Sequence, residues 1–257
     1  TASLQVTEDV AWIGGTTDTG LAVEAEADVI RWTGLAGLQV ISDATAGVDR
    51  AAVSLTGPGG GYAERIDVAL ELLDGTSSFA ATGPLLSGLH LEADTIDGDL
   101  LLSALTVLGS GPNPIRGIDA FATESYRLRV GSLVVPMSWT VEGGAEAIGY
   151  RVTGEGGDPE LRAVNAGDLR VTSGVQPVGM AMEATTPLAA PPPTGLPGDE
   201  VFLPTRRELS NEGGLVEVVG GAGAAAMRVG PGANGVRVEN GGELRTVGPA
   251  PGARGIA

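Results

Sequence analysis

Apolar and polar residues alternate along much of the chain. Ile66, Val68, Leu70 and Leu72 are separated by Asp67, Ala69 and Glu71 ahead of Asp74-Gly75. This is the two-residue period of a strand with one buried face, followed by a turn. Tyr126, Leu128 and Val130 alternate with Arg127 and Arg129 and stop at Gly131. Leu38-Gln39-Val40-Ile41, Ala52-Val53-Ser54-Leu55 and Leu133-Val134-Val135 are shorter candidate strands. Turn chemistry separates them: Gly57-Pro58-Gly59-Gly60-Gly61, the Gly/Pro cluster over 109–114, and the Gly/Asp/Pro cluster over 154–159. Glycine admits positive φ and proline holds φ fixed, so both favour bends. The apolar run over 99–108 fits a buried strand or a short helix, which periodicity does not separate; strand is the favoured reading.

These elements predict an all-β chain in three parts. Residues 1–184 are expected to form a jelly-roll-like β-sandwich. Residues 185–205 read as a semi-rigid, extended linker, because Pro187, Pro191, Pro192, Pro193, Pro197 and Pro204 crowd into them. The alternative is a long ordered loop packed on the first unit. Residues 206–257 carry a loose repeat, Met227-Arg228-Val229, Val236-Arg237-Val238 and Leu244-Arg245-Thr246-Val247, with arginines nine and eight residues apart. That spacing suits a small β-meander or the stacked strands of a fibrous β segment. Its apolar mass is too small for a free-standing domain and its sheet edges need cover, from the first unit or from copies of itself.

Composition narrows the chemistry. The 257 residues include 42 Gly and 16 Pro but only three each of Trp, Tyr and Phe, which suits short strands and tight turns. All 15 basic residues are arginine, so Schiff-base, phosphate-loop and general-base lysines are excluded. The absence of cysteine removes disulfides and thiolate chemistry. A net charge of −17 opposes binding to nucleic acid or to an anionic membrane surface. The charge is uneven, with 27 acids against 9 arginines over 1–205 and 5 against 6 over 206–257, consistent with two units. No signal peptide and no apolar run of membrane-spanning length is visible.

Several residues merit weighing as sites. Gly221-Ala222-Gly223-Ala224-Ala225-Ala226 has the outline of a dinucleotide fingerprint, but too little chain follows for the βαβ unit that motif needs. His90, the one imidazole, faces away from Leu89 and Leu91 on an alternating strand, toward solvent or a partner, and could complete a catalytic triad. Asp94, Asp97 and Asp99, with Gly98 between the last two, offer oxygen ligands for a structural Ca²⁺; Glu155, Asp158 and Glu160 form a weaker cluster. Trp32 and Trp139 are candidate glycan-stacking residues, against the competing reading that they fill the core. No catalytic residue and no organic cofactor is assigned.

Short Gly-, Val-, Ala- and Thr-rich strands, the proline segment and the Arg-Val repeat together resemble spike, fibre and tail-associated proteins of tailed phages and of phage-derived gene transfer agents. The resemblance implies a non-enzymatic structural and attachment protein on a virion or extracellular particle surface. It also implies a homo-oligomer, a trimer by analogy, that contacts other particle proteins and binds a cell-surface polysaccharide. The second expectation is a secreted carbohydrate-binding or glycan-hydrolysing β-sandwich module.

Overall fold

The structure, a computed structural model, describes residues 2–6, 10–13, 23–34, 38–41, 49–70, 78–110, 112–134, 137–144, 146–155, 159–185, 187, 207–248 and 254–257. The chain winds in successive rungs, each supplying strands to three columns. The first rung comprises β1 (Ala2–Val6), β2 (Val10–Ile13) and β3 (Val23–Glu26); the second β4 (Val29–Gly34), β5 (Leu38–Ile41) and β6 (Asp49–Thr56). The third holds β7 (Ala63–Leu70), β8 (Ser78–Gly83) and the first part of β9 (Leu85–Leu100). The rest of β9, β10 (Ala104–Gly109) and the start of β11 (Ile115–Val130) make the fourth. The end of β11, β12 (Ser138–Gly143) and β13 (Glu146–Gly154) make the fifth; β14 (Glu160–Asn165), β15 (Asp168–Ser173) and β16 (Gln176–Ala184) the sixth. The seventh is β17 (Arg207–Asn211), β18 (Leu215–Gly220) and β19 (Ala225–Val229), and the eighth β20 (Arg237–Asn240), β21 (Glu243–Val247) and β22 (Arg254–Ile256).

The chain is all-β, but its strands do not form the expected jelly roll and meander. Every pairing between described strands is parallel, for example Ile96 to Tyr126 to Leu161 in the first column and Leu105 to Trp139 to Leu169 in the second. A jelly roll is built from antiparallel neighbours; here each strand lies on the strand one rung earlier, forming a parallel β-solenoid. β19, β20 and β21, which carry the Arg-Val repeat, sit in three different columns and do not pair with one another. Their eight- and nine-residue spacing is the step from one column to the next.

The proline segment expected as a linker lies outside the described residues except for Thr185 and Pro187. The strands flanking it stack directly: Leu161 pairs with Arg207, Leu169 with Val216 and Val178 with Ala225. Two shorter expectations also resolve. The run over 99–108 is no helix; β9 ends at Leu100 and β10 begins at Ala104, with a corner between. Leu133 and Val134 form no strand but an exposed corner, with Val134 at 87 % accessibility, and Val135 lies outside the described residues.

Inside the solenoid, the fourth to sixth rungs each contribute one large residue per column. Ile96, Leu105 and Ile118 fill the fourth rung, and Leu161, Leu169 and Met180 the sixth. Between them Tyr126, Trp139 and Tyr150 fill the fifth, in register with both neighbours. The Tyr150 ring meets Trp139 and Tyr126 edge-on, and the two tyrosine hydroxyls lie 2.7 Å apart while Tyr150 also donates to the Leu128 carbonyl at 2.9 Å. Burying two phenols is tolerable because both hydroxyls are partnered. Rungs approach so closely at Gly98 (φ 133°) that a Cβ would run into the Val68 carbonyl oxygen.

Candidate functional site

Among the described residues, polar and charged side chains gather in the outward rows, in which residues one rung apart stand side by side. The first column carries Arg31, Asp67, Asp97, Arg127, Arg162, Glu208 and Arg237 in one row. It forms an exposed lattice of ion pairs: Arg31 to Asp67 at 3.7 Å, Arg65 to Asp97 at 3.7 Å, Arg127 to Glu160 at 2.7 Å and Arg162 to Glu208 at 3.5 Å. The second column is quieter. Thr106, Thr140, Arg170, Glu217 and Arg245 stand in a row, and Glu217 receives Arg170 and Arg245, each at 3.3 Å.

The third column differs: its outward residues are buried or half-buried. Ser54, His90, Asp119 and Arg151 stand in register, and His90 is only 4 % accessible. Ile148, Val178 and Ala181 form an apolar cluster of their own, separate from the main core. Asp119 accepts a bidentate pair from Arg151 at 2.7 and 2.9 Å, and the Arg151 guanidinium lies 5.3 Å above the Phe121 ring. Fork-to-carboxylate geometry of this kind holds a buried charge pair together. Arg228 reaches Glu183 at 2.7 Å. Burial, then the neighbouring Arg151 charge, pushes the Arg116 guanidinium below its ordinary pKa.

His90 thus points away from Leu89 and Leu91 as the alternation requires, but into a covered surface rather than solvent. Register brings Ser54, His90 and Asp119 together on adjacent strands, the three side-chain types of a hydrolytic triad. Their bonding is different: Asp119 directs both oxygens to Arg151, and His90 Nε2 lies 3.3 Å from Glu92 Oε2.

Where the third column turns into the first, polar groups from successive rungs converge. Tyr62, in the β6–β7 connection, donates to Glu155, and its hydroxyl is pushed well above the usual phenol range, by burial first and then by Glu155, Glu92 and Asp94. Asp94 accepts from Thr123 Oγ1 at 2.5 Å. Residues 62, 92, 123 and 155 recur about one rung apart, a period of roughly thirty residues that alternation over a few residues does not reveal.

Asp94, Asp97 and Asp99 do not gather into a cage. Asp94 bonds Thr123, while Asp97 stands in the exposed first-column row near Arg65. No group of three metal-ligating side chains occurs among the described residues. Of the weaker cluster, Glu160 pairs with Arg127 and Asp158 lies outside the described residues. Trp32 and Trp139 are buried at 3 % and 0 % accessibility, and an indole inside the solenoid offers no face to a sugar. Gly221 and Gly223 form the corner before β19, which is a strand where a dinucleotide site needs a helix. No family model, no curated protein and no solved structure matches the chain.

Proposed function

We propose that the chain is a non-enzymatic structural and attachment component of a phage-like particle, a spike, fibre or tail-associated protein on the particle surface. The observation that carries this reading is the uninterrupted parallel stacking of eight strands in the second column, from β2 to β21. A ladder of backbone hydrogen bonds along one axis makes a stiff rod, and each rung contacts only its neighbours, so length and reach follow from rung number. The outward rows repeat at the spacing of adjacent strands, about 4.8 Å. Such rows suit an extended polymer lying along the rod, and a cell-surface polysaccharide is the ligand class we assign to them. The large negative charge keeps parallel rods apart until specific contacts form. Several copies per particle, three by the resemblance, complete the reading.

Immunogold labelling of particles purified from the producing cells tests it. Label on the particle surface, with loss of attachment when the gene is deleted, is the expected result. Absence of the chain from purified particles rejects it.

A glycan-hydrolysing module is the second reading, supported by the meeting of Glu92, Asp94 and Glu155 around Tyr62. Release of reducing ends from a polysaccharide, abolished in Glu92→Gln, favours it over the first.

A further inference from the structure

The chain holds two Asn–Gly pairs, Asn234-Gly235 and Asn240-Gly241, and the fold treats them differently. In such a pair the glycine nitrogen can attack the amide carbon of the asparagine side chain, because no Cβ on the glycine stands in the way. The attack needs a glycine N–H that is not committed to a hydrogen bond, and it is helped by any group that stabilises the ionised nitrogen.

Asn240-Gly241 is clamped on both sides of the reaction. Asn240 Oδ1 accepts from Asn211 at 2.9 Å, and its Nδ2 donates to the Gly242 carbonyl at 2.8 Å. The Gly241 N–H donates to the Asn211 carbonyl at 2.7 Å. Asn234-Gly235 lies instead in the turn between β19 and β20, where Asn234 is exposed. Gly232 and Gly235 close this turn with φ of 76° and 67°. Among the described residues the Gly235 N–H donates to no backbone carbonyl.

Arg207 supplies the stabilising charge. Its row inside the first column reads Ile96, Tyr126, Leu161, Arg207, so a guanidinium stands where earlier rungs place apolar or aromatic side chains. At 3 % accessibility it needs acceptors, and Nη1 donates to the Asn234 carbonyl oxygen at 2.5 Å. That oxygen belongs to the same amide as the Gly235 nitrogen. When the nitrogen loses its proton, the negative charge spreads onto this oxygen, at which a fixed cation already points.

We propose that Asn234-Gly235 is a self-modifying site, at which the chain converts its own amide to aspartate and isoaspartate with Arg207 stabilising the attacking anion. The Gly235 nitrogen gives its proton to solvent and bonds to Asn234 Cγ. The Cγ–Nδ2 bond breaks, and the nitrogen leaves as ammonia after taking protons from solvent. Water then opens the five-membered imide. Opening at Cγ leaves aspartate at position 234; opening at the main-chain carbonyl leaves isoaspartate, with Gly235 carried on Cγ. One water is consumed, one ammonia is released, and nothing is oxidised or reduced. Either product puts a new carboxylate in the turn that Arg207 holds.

The test is incubation of the full chain in mildly alkaline buffer, followed by peptide mass mapping and isoaspartate-specific methylation, with circular dichroism on each variant. Product is expected at residue 234 at least about tenfold faster than at residue 240 in the folded chain. The two rates converge in urea, where the clamps on Asn240 and Gly241 are gone. Arg207→Gln slows the reaction at residue 234, and Arg207→Lys, which keeps a cation, restores part of the rate. Absence of product at residue 234, or residue 240 reacting as fast in the folded chain, overturns the proposal whether or not the Arg207 variants fold. An unchanged rate at residue 234 in a folded Arg207→Gln chain overturns it as well.

Discussion

Trp139 Nε1 donates to Asn165 Oδ1 at 3.2 Å, and that bond begins an asparagine ladder. The corner column reads Leu100, Val130, Asn165, Asn211, Asn240 in register, apolar up to the fifth rung and amide from the sixth. Asn165 Nδ2 donates to Asn211 Oδ1 at 2.8 Å, and Asn211 Nδ2 to Asn240 Oδ1 at 2.9 Å. Each amide also donates to a carbonyl in the next corner: Gly167, Gly214 and Gly242. The first amide has no asparagine before it; its oxygen accepts instead from the indole and from the Gly167 N–H, each at 3.2 Å. Replacing Trp139 by Phe removes one of the two donors and some core volume, and should lower unfolding free energy by about 2 kcal/mol in urea titration.

Position along the ladder should set the cost of breaking it. Asn211 is fully buried and bonded on both sides, so Asn211→Ala strands the amides above and below and should cost about 2–4 kcal/mol. Asn240 is exposed at the end, and Asn240→Ala should cost under about 1 kcal/mol in the same titration. Equal losses at the two positions would contradict a cooperative ladder.

The two kinds of ion pair should separate cleanly under mutation. Asp119→Ala leaves Arg151 charged and largely buried, and should destabilise the chain by about 3–5 kcal/mol with little dependence on salt. Asp67→Ala, in the exposed first-column lattice, should cost under about 1 kcal/mol and less still at high salt. Thermal melts of both variants at low and high ionic strength provide the comparison.

Stability should fall in alkali through the tyrosines. Burial holds the Tyr126 and Tyr150 hydroxyls well above the ordinary phenol value of 10.0. Below that pH both phenols are neutral folded or unfolded, and their contribution is fully present. Above it the unfolded chain loses phenol protons that the folded chain keeps, so stability declines as pH rises. With no lysine in the chain, phenols dominate titration in this range. Tm measured from about pH 9 to 12 should drop, and less steeply in Tyr126→Phe/Tyr150→Phe. A slope unchanged in the double variant would show that the buried pair is not responsible.

Alternation along the chain determined which residues lie inside: Tyr126, Leu128 and Val130 are buried and Arg127 and Arg129 project outward, as their pattern requires. It also placed corners at glycine- and proline-rich segments and put His90 on the face opposite Leu89 and Leu91. Strand direction was not legible there, because a half-buried strand shows the same two-residue period beside a parallel or an antiparallel neighbour. Only the tertiary structure decided that neighbours lie a full rung away. That choice brings Tyr62, Glu92, Asp94 and Glu155 together at one corner, gathers Tyr126, Trp139 and Tyr150 into one layer, and buries both candidate sugar-binding tryptophans. Which faces are apolar is a local property of a few residues, whereas which faces meet depends on contacts about thirty residues apart that only the closed coil brings together.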